Sequence, residues 1–133
     1  MPDVAVEFAE QLRLAGVPRP QREYRFAAVH VGGTGKGVRA RLEIAGLSDW
    51  RFDVAWPEQR IAVEVDGGGF VGGRHSRGLG IEADCAKVST AAALGWRVLR
   101  VTPRQVRKGQ ALAWVEQALG IQADKQELWR RIV

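Results

Sequence analysis

Arg51-Phe52-Asp53-Val54-Ala55-Trp56-Pro57-Glu58-Gln59-Arg60-Ile61-Ala62-Val63-Glu64-Val65-Asp66 is the stretch on which the reading of the fold turns. Over 49–56, Trp50, Phe52, Val54 and Trp56 alternate with Asp49, Arg51, Asp53 and Ala55, the period-two pattern of a strand with one core face. Residues 57–60 read as a turn. Over 60–66, Ile61, Val63 and Val65 share one face, and Ala62, Glu64 and Asp66 share the other. A four-residue turn sets Trp56 against Ile61, and each step outward then pairs residues whose numbers add to 117. Asp53 falls opposite Glu64, with Cβ atoms expected about 4.5–5.5 Å apart. Opposed carboxylates repel across a ladder, so something must offset them. A divalent cation does this, because Mg²⁺ takes one or two carboxylates together with water and phosphate oxygens. The plainer alternative is a solvated strand face whose acids are quenched by Arg51 and Arg60.

Working outward, 3–15 reads as a helix capped by Asp3, with Val4, Phe8, Leu12 and Ala15 at helical spacing and Gly16 as its stop. Residues 22–29 and 39–44 read as strands joined by the glycine-rich loop 32–37. That loop is not a nucleotide-binding P-loop: His30 stands where the motif needs its first glycine, and Gly37 where it needs Ser or Thr. Downstream, 67–80 is a glycine-rich loop carrying Arg74, His75 and Arg77. A helix is expected over 79–94, stopped by Gly95, and a strand over 96–101. A capped helix then starts at Thr102-Pro103, is broken at Gly109, and continues over 110–119, with a last helix over 124–132. This order implies a mixed sheet with helices packed against it.

At 133 residues the chain suits a single domain, 1–133, with a core over about 3–101 and a helical extension over 103–133. Twenty Lys and Arg against 15 Asp and Glu leave a net charge of +5, which favours anionic partners. One cysteine, Cys85, rules out an intramolecular disulfide, and one Cys with two His cannot complete a structural zinc site. No apolar run is long enough to span a membrane and no secretory signal is visible, so a cytoplasmic location (a host cytoplasm, were the chain phage-encoded) is expected.

The hairpin, together with Asp84-x-x-Lys87 and Leu94-Gly95-Trp96-Arg97-Val98-Leu99-Arg100-Val101, resembles the core of the PD-(D/E)xK nuclease superfamily. Within it the similarity is to the branch of very-short-patch-repair endonucleases and small phage or bacterial endonuclease-like proteins. It covers about 49–101. The resemblance implies an α/β, restriction-endonuclease-like fold in α-β-β-β-α-β order and a Mg²⁺-dependent DNA endonuclease, with Mn²⁺ able to substitute. It places metal ligation on Asp53, Glu64 and the carbonyl of Val65, with Glu7 as a looser correspondence on the first helix. A solvated helix residue is the alternative for Glu7. Where many members carry lysine this chain has Asp66. Either Asp66 is a further ligand or the cationic role has moved to Lys87, whose alternative is an ordinary pairing with Asp84. His75 is a candidate general acid or phosphate contact, or a plain loop residue.

Lys36, Arg39, Arg41, Arg74 and Arg77 are candidate contacts to flanking phosphates. The implied partner is duplex or branched DNA, bound by a monomer or homodimer, with no membrane association. A Holliday-junction resolvase of the same fold, a non-catalytic DNA-binding module and a protein-interaction domain are the competing functions.

Overall fold

A computed structural model of the chain describes residues 3–66 and 80–121. The elements run α1 (Val4–Leu14), β1 (Gln21–Tyr24), α2 (Phe26–His30), α3 (Val38–Ala45), β2 (Phe52–Trp56), β3 (Ile61–Val65), α4 (Ile81–Ala93), β4 (Arg97–Val101), α5 (Pro103–Arg107) and α6 (Gln110–Ala118). The four strands form one sheet in the order β1-β2-β3-β4. The first two pairings are antiparallel and β3–β4 is parallel, so the sheet is mixed. Helix α4 makes the crossover that a parallel pair needs.

Several sequence expectations hold. Asp3 caps α1 by accepting the Ala5 N–H at 2.9 Å, and Phe8 and Leu12 bury its inner face. The 57–60 turn sets Trp56 against Ile61, Ala55 against Ala62 and Val54 against Val63, the anticipated register. Thr102 and Gln105 form a reciprocal capping box with Pro103 at the start of α5. Gly109, at φ 83°, breaks the chain before α6. The helix expected over 124–132 lies outside the described residues.

Two expected strands need correction. Only Gln21–Tyr24 of the first is extended, and Phe26–His30 is helical. Phe26 is drawn onto Phe52, ring centroids 4.1 Å apart and nearly parallel, so aromatic packing overrides local strand preference there. The 39–44 stretch is helix α3 rather than a strand. Its Ala-Leu-Ile alternation does not mark a buried face, because Leu42 is buried while Ile44 is 87% exposed. Left-handed glycines at 37 and 46 bound the helix, conformations that residues with a Cβ adopt reluctantly.

Both faces of the sheet are covered, as a mixed sheet flanked by helices requires. Val54, Trp56, Ile61, Val63 and Val101 face α1, α5 and α6, packing on Phe8, Leu12, Val106, Leu112 and Val115. On the opposite face, Ala55 and Ala62 are fully buried beneath Phe26, Ala91 and Trp96. Phe52 belongs to this second cluster, although strict alternation puts it with Val54 and Trp56. The alternation is interrupted beside Asp53: on the neighbouring strand Arg22 pairs with Val54 and Tyr24 with Phe52, while Glu23 between them takes a left-handed φ of 51°. The kink swings Phe52 and Tyr24 towards Trp96.

Candidate active site

The polar end of the second face is built along β3. Its side chains pass from Ala62, fully buried, to Glu64, whose side chain is 22% exposed, to Asp66, 48% exposed. Glu64 therefore sits where the core gives way to solvent. Helix α4 crosses this face on Ala91, and one turn earlier Lys87 reaches down so that its Nζ donates to Glu64 Oε1 at 2.5 Å. The ammonium also lies 5.9 Å from the centre of the Phe52 ring. An apolar floor and a carboxylate thus fix one cation between them.

Asp53 is held differently. The paired residues of the hairpin end at Val54 and Val63, and beyond them Asp53 Oδ2 accepts the Val65 N–H at 2.7 Å. Its carboxylate bridges the two strands in place of the next backbone bond. Burial pushes the Glu64 carboxyl above its usual range; Lys87 pulls it back, and the negative charge of Asp53 pushes it up again. The negative charge of Asp53 is felt at Glu64, whose chain neighbour Val65 supplies the N–H that Asp53 accepts.

Asp66 donates its backbone N–H to Val101 O, and its carboxylate accepts from Arg100 at 2.6 Å. Arg100 stands directly across the parallel ladder from Glu64 and draws that carboxyl downward. The quenching of the acids expected from Arg51 and Arg60 is done instead by Lys87 and Arg100. Arg60 lies over the Trp96 ring, and Arg51 is exposed with its charge felt by Asp49. Lys87 pairs with Glu64 rather than with Asp84, which is exposed.

The remaining candidates divide clearly. Glu7 lies on α1, which packs on the opposite face, and its carboxylate accepts from Arg107 Nε at 3.1 Å. The structure gives Glu7 a partner away from the pair joined at Lys87. Arg41 is turned inward: its guanidinium donates to Gly33 O at 2.9 Å and to Lys36 O at 2.8 Å, closing the 32–37 loop upon itself. Arg41, a candidate phosphate contact by sequence, acts in the structure as a clamp on this loop. Lys36 and Arg39 are exposed. His75, Arg74 and Arg77 lie outside the described residues. Arg100 and Phe52, which complete the surroundings of Glu64, were not singled out by sequence. A parallel register across a helical crossover cannot be counted from a turn length, and the left-handed Glu23 beside Asp53 leaves no periodic trace.

Among the described residues no three Asp, Glu, His or Cys side chains converge as a ready metal cage. What the strands present is a smaller, all-oxygen donor set: the Asp53 and Glu64 carboxylates, with the Val65 carbonyl on the same strand. Each carboxylate uses one oxygen in a hydrogen bond and keeps the other without a bond among the described residues. Hard oxygen donors in this number fit Mg²⁺, which completes its shell with water and phosphate rather than with a full protein cage. No helix among the described residues is long and apolar enough to cross a membrane. No family model, curated protein or solved structure matches the chain, so the site is read from its own geometry.

Proposed function

We propose that the chain is a metal-dependent endonuclease that hydrolyses phosphodiester bonds in DNA, working in the cytoplasm, and that its sheet is a restriction-endonuclease-like core. The observation that carries this reading is the juxtaposition of Asp53, Glu64 and Lys87 at the end of two adjacent strands. With α2 and α3 treated as an insertion between β1 and β2, the elements to β4 follow the order α-β-β-β-α-β, which supports the core assignment.

Each residue has a definable part. Asp53 is pinned by the Val65 N–H through one oxygen and Glu64 holds Lys87 through one of its own, and each keeps a second oxygen without a bond among the described residues. Asp53 and Glu64 would hold Mg²⁺, which would supply Lewis acidity to a phosphate oxygen and lower the pKa of a coordinated water. Lys87 stands within reach of the same carboxylate, placed to orient the attacking water or to stabilise charge developing on the phosphate. Phe52 and Arg100 position Lys87 and Asp66 respectively.

The test is nicking of supercoiled plasmid in Mg²⁺ by the wild type and by Asp53→Ala and Glu64→Ala. The reading predicts loss of nicking in both variants. Equal nicking by all three proteins rejects it, and DNA retention without nicking in any of them supports a binding module instead.

A further inference from the structure

Residues 100–108, Arg-Val-Thr-Pro-Arg-Gln-Val-Arg-Lys, carry three arginines, one lysine and no acid. That is a local charge of +4 in a chain whose net charge is +5. The structure puts this charge on a rigid mount. The capping box of Thr102 and Gln105 fixes the start of α5. Val106, fully buried, anchors its underside in the first core cluster, and Gln11 of α1 donates to the Val106 carbonyl at 2.9 Å. The mount is also at the right end of the sheet. The Val101 carbonyl accepts the Asp66 N–H, so α5 starts directly beyond the strand end that carries Glu64.

The four cations are used unequally. Arg100 and Arg107 are engaged with Asp66 and Glu7. Arg104 and Lys108, four apart and so on one side of the helix, are exposed, and neither has an ion-pair partner among the described residues. Two uncompensated cations on a braced helix that begins at the strand end carrying Glu64 are complementary to a phosphate backbone running past that edge of the sheet.

We propose that α5 is the platform on which the backbone of bound DNA rests, with Arg104 and Lys108 contacting phosphates that flank the strand end carrying Glu64. This rests on the DNA-cleaving reading and adds to it where the substrate lies. It also accounts for the short helix after β4, which the chemistry at Asp53 and Glu64 does not require.

The test is binding of a short fluorescein-labelled duplex, followed by anisotropy without divalent cation between about 50 and 200 mM salt. Wild type is compared with Arg104→Ala/Lys108→Ala and with Arg19→Ala/Arg22→Ala, two exposed arginines elsewhere, as a control for basic charge. Each lost phosphate contact lowers the slope of log K against log salt by about 0.9, so the α5 double variant should lose about two units of slope. Its low-salt affinity should fall at least about tenfold. The control pair should change the slope less. Both positions are exposed, and unchanged thermal unfolding confirms that the variants fold. Equal slopes for wild type and the α5 variant overturn the platform and leave the nuclease reading standing. Absence of DNA binding by wild type at every salt overturns both.

Discussion

The two faces of the sheet are built from different materials. The first is closed from end to end: Val54, Trp56, Ile61, Val63 and Val101 meet Phe8, Leu12, Val106 and Val115, with Val65 and Leu99 partly buried at its margin. The second is closed at only one end. Small residues, Ala55, Ala62 and Ala91, let α4 and the aromatic group of Phe26, Phe52 and Trp96 approach closely. Further along β3 the apolar cover ends at Glu64 and Lys87. Apolar packing is thus concentrated on one side and partly exposed charge on the other. Glu64 can be half-buried because its own strand is locked from behind, and it is raised above the usual carboxylate range because that burial outweighs Lys87.

If that division is right, changes on the two faces should separate stability from chemistry. The largest effect is expected at the acids. Asp53→Ala and Glu64→Ala should each lower Mg²⁺-dependent cleavage by about a thousandfold, since an ion that stabilises transition-state charge by several kcal/mol is lost. Thermal unfolding should shift little for Glu64→Ala, read by circular dichroism beside the cleavage rate. On the closed face the pattern inverts. Phe8→Ala should destabilise by about 3–5 kcal/mol in urea titration, because a fully buried ring leaves a cavity. Activity per folded molecule should be preserved at low temperature.

Lys87→Met probes the seam between the faces. Removing the cation from Glu64 should tighten Mn²⁺ binding in calorimetry by about tenfold, as expected when a like charge is taken from beside the site. Cleavage should fall by about a hundredfold. Weaker metal binding would contradict the assignment of Lys87 as a neighbour of the ion.

The smallest effect concerns pH. The folded Glu64 carboxyl titrates above its unfolded value of 4.5, so between these two points the folded state holds more protons than the unfolded one. In metal-free protein the contribution of Glu64 to stability is therefore full below 4.5 and declines as pH rises through the folded value. Glu64→Gln should flatten this decline in a Tm–pH series without lowering stability at neutral pH. A wild-type decline that persists unchanged in the variant would assign it to another group.

How far the sequence could be read follows the same contrast. The hairpin was legible because turn length and alternation agree: a four-residue turn admits the register that pairs Trp56 with Ile61, and Pro57 marks where it starts. The ends of α1 and α5 were legible from Asp3 and Thr102, because capping is decided within a few residues. Helices α2 and α3 were not. Their sequences alternate like strands, and they become helical through contacts made elsewhere, Phe26 on Phe52 and Arg41 on the carbonyls of Gly33 and Lys36. At the site, Asp53 and Glu64 could be placed by counting, and Lys87 by its position on the next helix. Arg100 and Phe52 could not, because one depends on the crossover and the other on a kink at Glu23.

The central claim is that the carboxylates of Asp53 and Glu64 jointly hold one cation. Crystals soaked in Mn²⁺ and measured for anomalous scattering address it most directly. A cation shared by the two acids gives a difference peak between their carboxylates, beside the Val65 carbonyl, with the Lys87 ammonium moved off Glu64 Oε1. A peak elsewhere, or a structure in which Lys87 keeps Glu64 and no manganese lies between the acids at saturating concentration, would contradict it.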